Sequence, residues 1–91
     1  MVSVKRLVLD VLKPHHPNAL EFGRVIAEVG SDYRVHVMVN EVDEKTETLQ
    51  VIIDGEAIDF DAIQLVINKM GGSMHSIDEV IVHSEPAQDQ G

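Results

Sequence analysis

Ninety-one residues with sixteen carboxylates against seven Lys and Arg, a formal charge of −9 and no cysteine describe one small acidic domain. The lack of cysteine excludes disulfides, thiolate metal sites and thiol catalysis. Scattered basic residues, one Tyr and two Phe argue against nucleic acid and anionic membranes as partners, because phosphates call for clustered cations and single strands for stacking platforms.

No run of ~18 apolar residues is present, so no membrane-spanning segment is expected. Residues 1–6 lead straight into an alternating pattern without the apolar core of a signal peptide, which makes the cytoplasm the expected location.

Residues 2–13 place Leu7, Leu9 and Val11 on one face and Arg6, Val8, Asp10 and Leu12 on the other, the signature of a half-buried strand. Pro14 ends it, since proline cannot donate to a ladder. Pro17 suits a first helical turn, and the segment to Val29 carries Phe22, Val25, Ile26 and Val29 on one stripe, with Gly30 as the stop. Residues 33–42 alternate again, with Tyr33, Val35, Val37 and Val39 against Arg34, His36, Met38 and Asn40. After a polar turn at residues 43–47, Leu49, Val51 and Ile53 alternate with Thr48, Gln50 and Ile52, and the two strands read as a hairpin.

Asp54-Gly55 closes that strand, and Asp59 is placed to cap a second helix with Phe60, Ile63, Val66, Ile67 and Met70 on its apolar face. Gly71-Gly72 ends it. Residues 74–82 form a fourth strand in which the spacing of Ile77 and Val80 implies a bulge. Residues 1–84 are thus expected to be the domain and 85–91 a polar flexible tail.

Strand, helix, strand, strand, helix, strand, joined by right-handed crossovers, is a split-βαβ or ferredoxin-like α+β plait. Its four-stranded antiparallel sheet has the order 4-1-3-2, with both helices on one face. The other face then carries Val8, Leu12, Met38 and Ile52 among Arg6, Asp10, Arg34, His36, Asn40 and Gln50. Pairing of such mixed faces between subunits is the expected use of this surface, which makes a second copy of the chain the expected partner. Leu65, off the core stripe of the second helix, extends the same expectation.

Plait geometry gathers two sets of chemically able side chains. At one end Asp10, Lys13, His15 and His16 approach His75, and Asp10, His15 and His75 have the composition of a Zn²⁺ or Ni²⁺ site or of a proton-transfer pair. Asp10 bridging to Arg6 and histidines capping a proline loop explain the same residues structurally. At the other end Asp54, Glu56, Asp59 and Asp61 offer hard oxygen ligands for Ca²⁺ or Mg²⁺. Their spacing is not that of an EF-hand, and a turn plus a helix cap accounts for them without an ion. The hairpin acids Glu41, Asp43, Glu44 and Glu47 read as a solvated turn. Phosphate-binding glycine loops and a nucleophile elbow are absent.

The stretch Arg6-Leu7-Val8-Leu9-Asp10-Val11-Leu12-Lys13-Pro14-His15, then Pro17 and Glu21-Phe22, with Asp54-Gly55-Glu56 and His75-Ser76-Ile77-Asp78-Glu79-Val80, resembles domain of unknown function family 211, small archaeal proteins. The resemblance spans almost the whole chain except the acidic tail. It implies a ferredoxin-like plait in a closed homo-oligomer, with no established activity. Asp10, Lys13, His15, Glu21 and the His75, Ser76 and Asp78 run coincide with that family's motif. His16 and the tail have no counterpart in it.

The expected function is a homo-oligomeric binding or regulatory module without catalysis. Divalent-cation binding and a small enzyme built on a His–Asp pair are the alternatives, and the only cofactor expected is a divalent cation.

Overall fold

The computed structural model describes residues 1–86. Six elements follow in chain order: β1 (Val2–Pro14), α1 (Ala19–Ala27), β2 (Arg34–Val42), β3 (Thr46–Asp54), α2 (Phe60–Lys69) and β4 (Ser73–Ser84). The four strands form one sheet in the order β2-β3-β1-β4, which is the expected 4-1-3-2 read from the opposite edge. Every neighbouring pair is antiparallel, and the chain is a ferredoxin-like plait.

Alternation in β1 and β3 sorts the sheet's two faces. Leu7, Leu9 and Val11 of β1 and Leu49, Val51 and Ile53 of β3 meet Phe22 and Ile26 of α1 and Ile63 and Ile67 of α2, all essentially excluded from water. Burial of each such side chain contributes roughly 1.5–3 kcal/mol before the entropy of ordering it. Both helices start on a side-chain cap: Asn18 Oδ1 accepts from Glu21 N at 2.9 Å and Asp59 Oδ1 from Ala62 N at 3.1 Å. Pro17, expected in the first turn, lies before the helix instead: Asn18 caps it and the first helical residue is Ala19.

The glycines divide differently from expectation. Gly71 sits at φ +85°, a left-handed stop, and Gly72 N donates to Ile67 O at 2.9 Å to close α2. Gly30 is not the stop of α1, which ends at Ala27 with Glu28 as its cap. It leaves room for the Tyr33 ring, against which any Cβ at this position would clash. Tyr33 uses that room to place its hydroxyl oxygen 2.7 Å from Asp59 N.

Extra residues interrupt two of the three ladders, at four places. Lys5 is the additional residue on β1, His75 and Asp78 are additional on β4, and Asn40 is additional on β2. The Asp78 bulge is what separates Ile77 from Val80 while leaving both on the helix-side face, by register with Leu9 and Leu7. β4 also runs further than expected, to Ser84, and Glu85 N donates to Met1 O at 2.7 Å beyond it. Of the tail expected at 85–91, residues 87–91 lie outside the described residues. No helix among the described residues is long and apolar enough to cross a membrane.

Coverage of the sheet by the helices is uneven. α1 lies along β2, whereas α2 reaches β4 only sparsely. Ile77, Val80 and Val82 point to the helix side and still remain 47–48% exposed.

Candidate functional site

At the hairpin end of the sheet a charged cluster closes the core. Lys13 continues the odd-numbered face of β1, below Leu7, Leu9 and Val11, and its register partner on β3 is Glu47. The residue is 1% exposed. Its ammonium donates to Glu47 Oε1 at 2.7 Å, Pro14 O at 2.7 Å and Pro17 O at 2.6 Å. An ammonium has three protons, so those three short bonds use all of them. The Phe22 ring lies beneath, with its centroid 5.8 Å from Nζ.

His15 completes the cluster from the loop after β1. Its Nε2 lies 2.9 Å from Asp43 O and 3.0 Å from Glu44 O. Both partners are carbonyls, which only accept, so Nε2 carries a proton. His15 Nδ1 is 3.6 Å from the second carboxylate oxygen of Glu47. The Lys13 hydrogen bond, added to the Lys13 charge and a smaller contribution from His15, outweighs burial and lowers the Glu47 carboxyl from its ordinary value. Buried charge here is fully paired, and what the arrangement does is hold the proline loop and the β2–β3 turn to the sheet.

The opposite face of the sheet is open. Arg34 of β2, Asp54 of β3 and Arg6 of β1 share one level of it, and Glu79 of β4, the register partner of Val8, stands one level along. Arg34 and Arg6 are both register partners of Asp54. Arg6 Nη1 is 3.2 Å from Asp54 Oδ1, and Arg6 Nε donates to Glu79 Oε1 at 2.7 Å. The Glu79 hydrogen bond, with the Asp54 charge behind it, raises the Arg6 guanidinium further above its ordinary range despite some desolvation. Arg34 has no ion pair among the described residues.

One level beyond Glu79, Asp10 Oδ2 faces His75 Nδ1 at 4.0 Å, with Gln50 and Ser76 as the register partners of Asp10. Ser76 Oγ donates to Asp78 Oδ1 at 2.7 Å. Apolar residues interleave with these groups: Val8 is buried, Leu12 and Ile52 are half-buried, and Met38 is exposed.

The model of the family called DUF211, described as uncharacterized ArCR, matches residues 5–88. The chain belongs to domain of unknown function family 211. It is also 41% identical over 81 residues, 89% of this chain and 84% of the other, to the uncharacterized protein MJ0319 of the archaeon Methanocaldococcus jannaschii. Family 211 brings no activity with it, so the geometry has to supply the functional reading.

In this member of family 211, the expected set of Asp10, His15 and His75 divides between the two faces. Asp10 and His75 stand together on the open face, while His15 belongs to the Lys13–Glu47 cluster on the core side. His16 is exposed. Glu21, in the first turn of α1, pairs with Arg24 at 3.2 Å. Among the described residues no three His, Asp or Glu side chains converge in a way that could hold a metal ion.

Each acid of the second set has structural work. Asp54 pairs with Arg6, and Glu56 receives Lys5 through its carbonyl at 2.7 Å and its carboxylate at 3.4 Å. Asp59 caps α2, and Asp61 sits in its first turn, where a negative charge favours the helix dipole.

The residue that sequence reasoning misjudged is Glu47, read as a solvated turn acid. Its signal was available: it shares odd parity with Leu49, Val51 and Ile53 and so belongs to the core face.

Proposed function

We propose that this protein is a non-catalytic, homo-oligomeric binding or regulatory module of the cytoplasm, and that its first binding partner is a second copy of itself. The observation that carries this reading is the exposed aliphatic surface of β4. Ile77, Val80, Ile81 and Val82 are 40–48% exposed on an outer strand. An open apolar strand edge invites pairing with another chain, and a stable fold covers such an edge or blunts it. Met38, Leu12 and Ile52 on the open face add a second apolar surface for contacts.

Two observations favour binding over catalysis. Lys13, Glu47 and His15 are committed to one another and to backbone carbonyls. The Ser76 hydroxyl donates to Asp78 and not to His75, so the His75–Asp10 pair does not activate Ser76.

Native mass spectrometry and sedimentation velocity at micromolar concentration test the reading. A discrete oligomer of the 10.1 kDa chain is the expected result, and a monomer throughout overturns it.

The Asp10–His75 pair favours a second reading, a divalent cation held on the open face. One chain would supply two of its ligands, with water or a neighbouring subunit supplying the rest. Calorimetric titration of chelator-treated protein with Zn²⁺ and Ni²⁺ should give saturable heat that Asp10→Asn removes. No heat from the wild type would rule that reading out.

A further inference from the structure

At the end of the sheet away from the β2–β3 turn lies a charged pocket of ≈ 570 Å³, lined by Lys5, Arg34 and His83 and by the acids Asp32, Glu56 and Glu85. Its size falls in the range of ~300–1,000 Å³ common to small-ligand clefts, but the lining is charged where most are apolar. A charged small molecule is the kind of ligand such a lining selects.

Three segments of the chain meet to form the walls. Lys5 is the extra residue of β1, and a bulge re-aims the side chain it carries away from the regular alternation. Gly55 N donates to Lys5 O at 3.1 Å and Ile58 N to Val4 O at 2.9 Å, so the loop after β3 stays on β1 and brings Glu56 beside Lys5. Asp32, in the loop before β2, accepts from Glu56 N at 2.9 Å. The walls are thus tied together by hydrogen bonds to the backbone before any ligand arrives, which lowers the ordering cost of binding.

Two cations of this pocket are underused. The Lys5 side chain is 16% exposed, yet only one of its contacts has ordinary hydrogen-bond length, 2.7 Å to Glu56 O. The carboxylates of Glu56 and Glu85 stand off at 3.4 and 3.5 Å. Lys13, at the other end of the strand, shows full use of an ammonium's three protons, with bonds of 2.6–2.7 Å to each of three partners. Arg34 has no ion pair among the described residues, and its register partner Asp54 pairs with Arg6 instead. A guanidinium left open in this way presents a fork that matches a carboxylate.

The surrounding acids determine which anion fits. Asp32, Glu56 and Glu85 line the same pocket, in a chain of charge −9. A dianion such as phosphate meets their repulsion in full. A ligand with one carboxylate and one ammonium sets anion against cation at both of its ends.

We propose that this pocket binds a small zwitterion of the α-amino-acid class, its carboxylate on Arg34 and Lys5 and its ammonium among Asp32, Glu56 and Glu85. All of these groups come from one chain, so binding here needs no second copy and goes beyond self-association.

Calorimetric titration of the chelator-treated full chain with each free protein amino acid, at two temperatures, tests the site. The N-acetyl and amide forms of the tightest binder and inorganic phosphate serve as comparisons. Saturable heat at one ligand per chain is expected from a free amino acid. Blocking its ammonium or its carboxylate should weaken binding about tenfold or more, the effect of losing a charge-assisted contact. Arg34→Gln should weaken it as much, with far-UV circular dichroism confirming the fold. Arg24→Gln, at an exposed arginine of α1 outside the pocket, should bind like wild type.

No saturable heat from any free amino acid overturns the proposal. Phosphate or the N-acetyl form binding as tightly as the free amino acid overturns it too, because that marks a plain anion site. Wild-type affinity in Arg34→Gln would place the ligand elsewhere and overturn it as well. None of these outcomes bears on whether copies of the chain associate, which sedimentation reads separately.

Discussion

Lys13 and Arg6 occupy the same strand, and each faces a carboxylate of β3 in the same ladder, Glu47 and Asp54 respectively, yet the two pairs differ in nearly everything else. Parity decides it. Lys13 falls with Leu7, Leu9 and Val11, so its ammonium is sealed beneath the helix layer against Phe22 and has no water to fall back on. Arg6 falls with Val8 and Asp10, its side chain one-third exposed, and solvent screens its bonds to Asp54 and Glu79. One cross-strand ion pair is part of the core and the other is part of a surface. The lesson is that charge type and spacing along a strand do not identify a functional site until the face is known.

The sharpest way to break this comparison is to remove each cation in turn. Lys13→Met should destabilise the fold by about 3–5 kcal/mol, because it leaves a buried carboxylate and two proline carbonyls without their donor. Urea unfolding measures it, and a cost below about 1 kcal/mol would place the pair among exposed ion pairs.

The next test uses acid. Glu47 is lowered by Lys13, so its ionised form is favoured more in the folded chain than in the unfolded one. Its stabilisation is therefore complete above the unfolded carboxyl value of about 4.3 and is lost as pH falls through the lower folded value. The stability gap between wild type and Glu47→Gln should stay level from pH 8 to pH 6 and close in the acid range below. A gap that does not change with pH would show that the Glu47 charge is not what Lys13 needs.

The smallest effect belongs to the surface pair. Arg6→Gln should leave the unfolding midpoint of the isolated subunit close to wild type, and added salt should erase what difference there is. A loss matching that of Lys13→Met would remove the distinction between the faces.

Much of the fold was legible because periodicity carries it: alternation in β1, β2 and β3, stripes on both helices, and the irregular spacing of Ile77 and Val80 that marks the Asp78 bulge. The charged end was less legible. Asp10, His15 and His75 looked like one group because plait topology brings their segments to the same end, but topology does not state the face. Parity would have joined Lys13 to Glu47 and parted Asp10 from both. Gly30 misled for another reason. A glycine after a helical stripe reads as a stop, while its use here is to admit a ring from three residues on, a contact that no local pattern records. The exposure of Val80 and Val82 was hidden too, since it depends on how far α2 extends over β4 and not on the strand itself.

One ammonium holds the carbonyls of Pro14 and Pro17 and the Glu47 carboxylate together, while His15 holds the carbonyls of Asp43 and Glu44. The loop after β1 and the β2–β3 turn are distant in the chain but cannot open independently without stranding a buried charge. In native-state hydrogen exchange their amides would therefore share one opening free energy and one denaturant dependence, a single foldon stitched across two loops that surface exposure alone would rank among the first to fray.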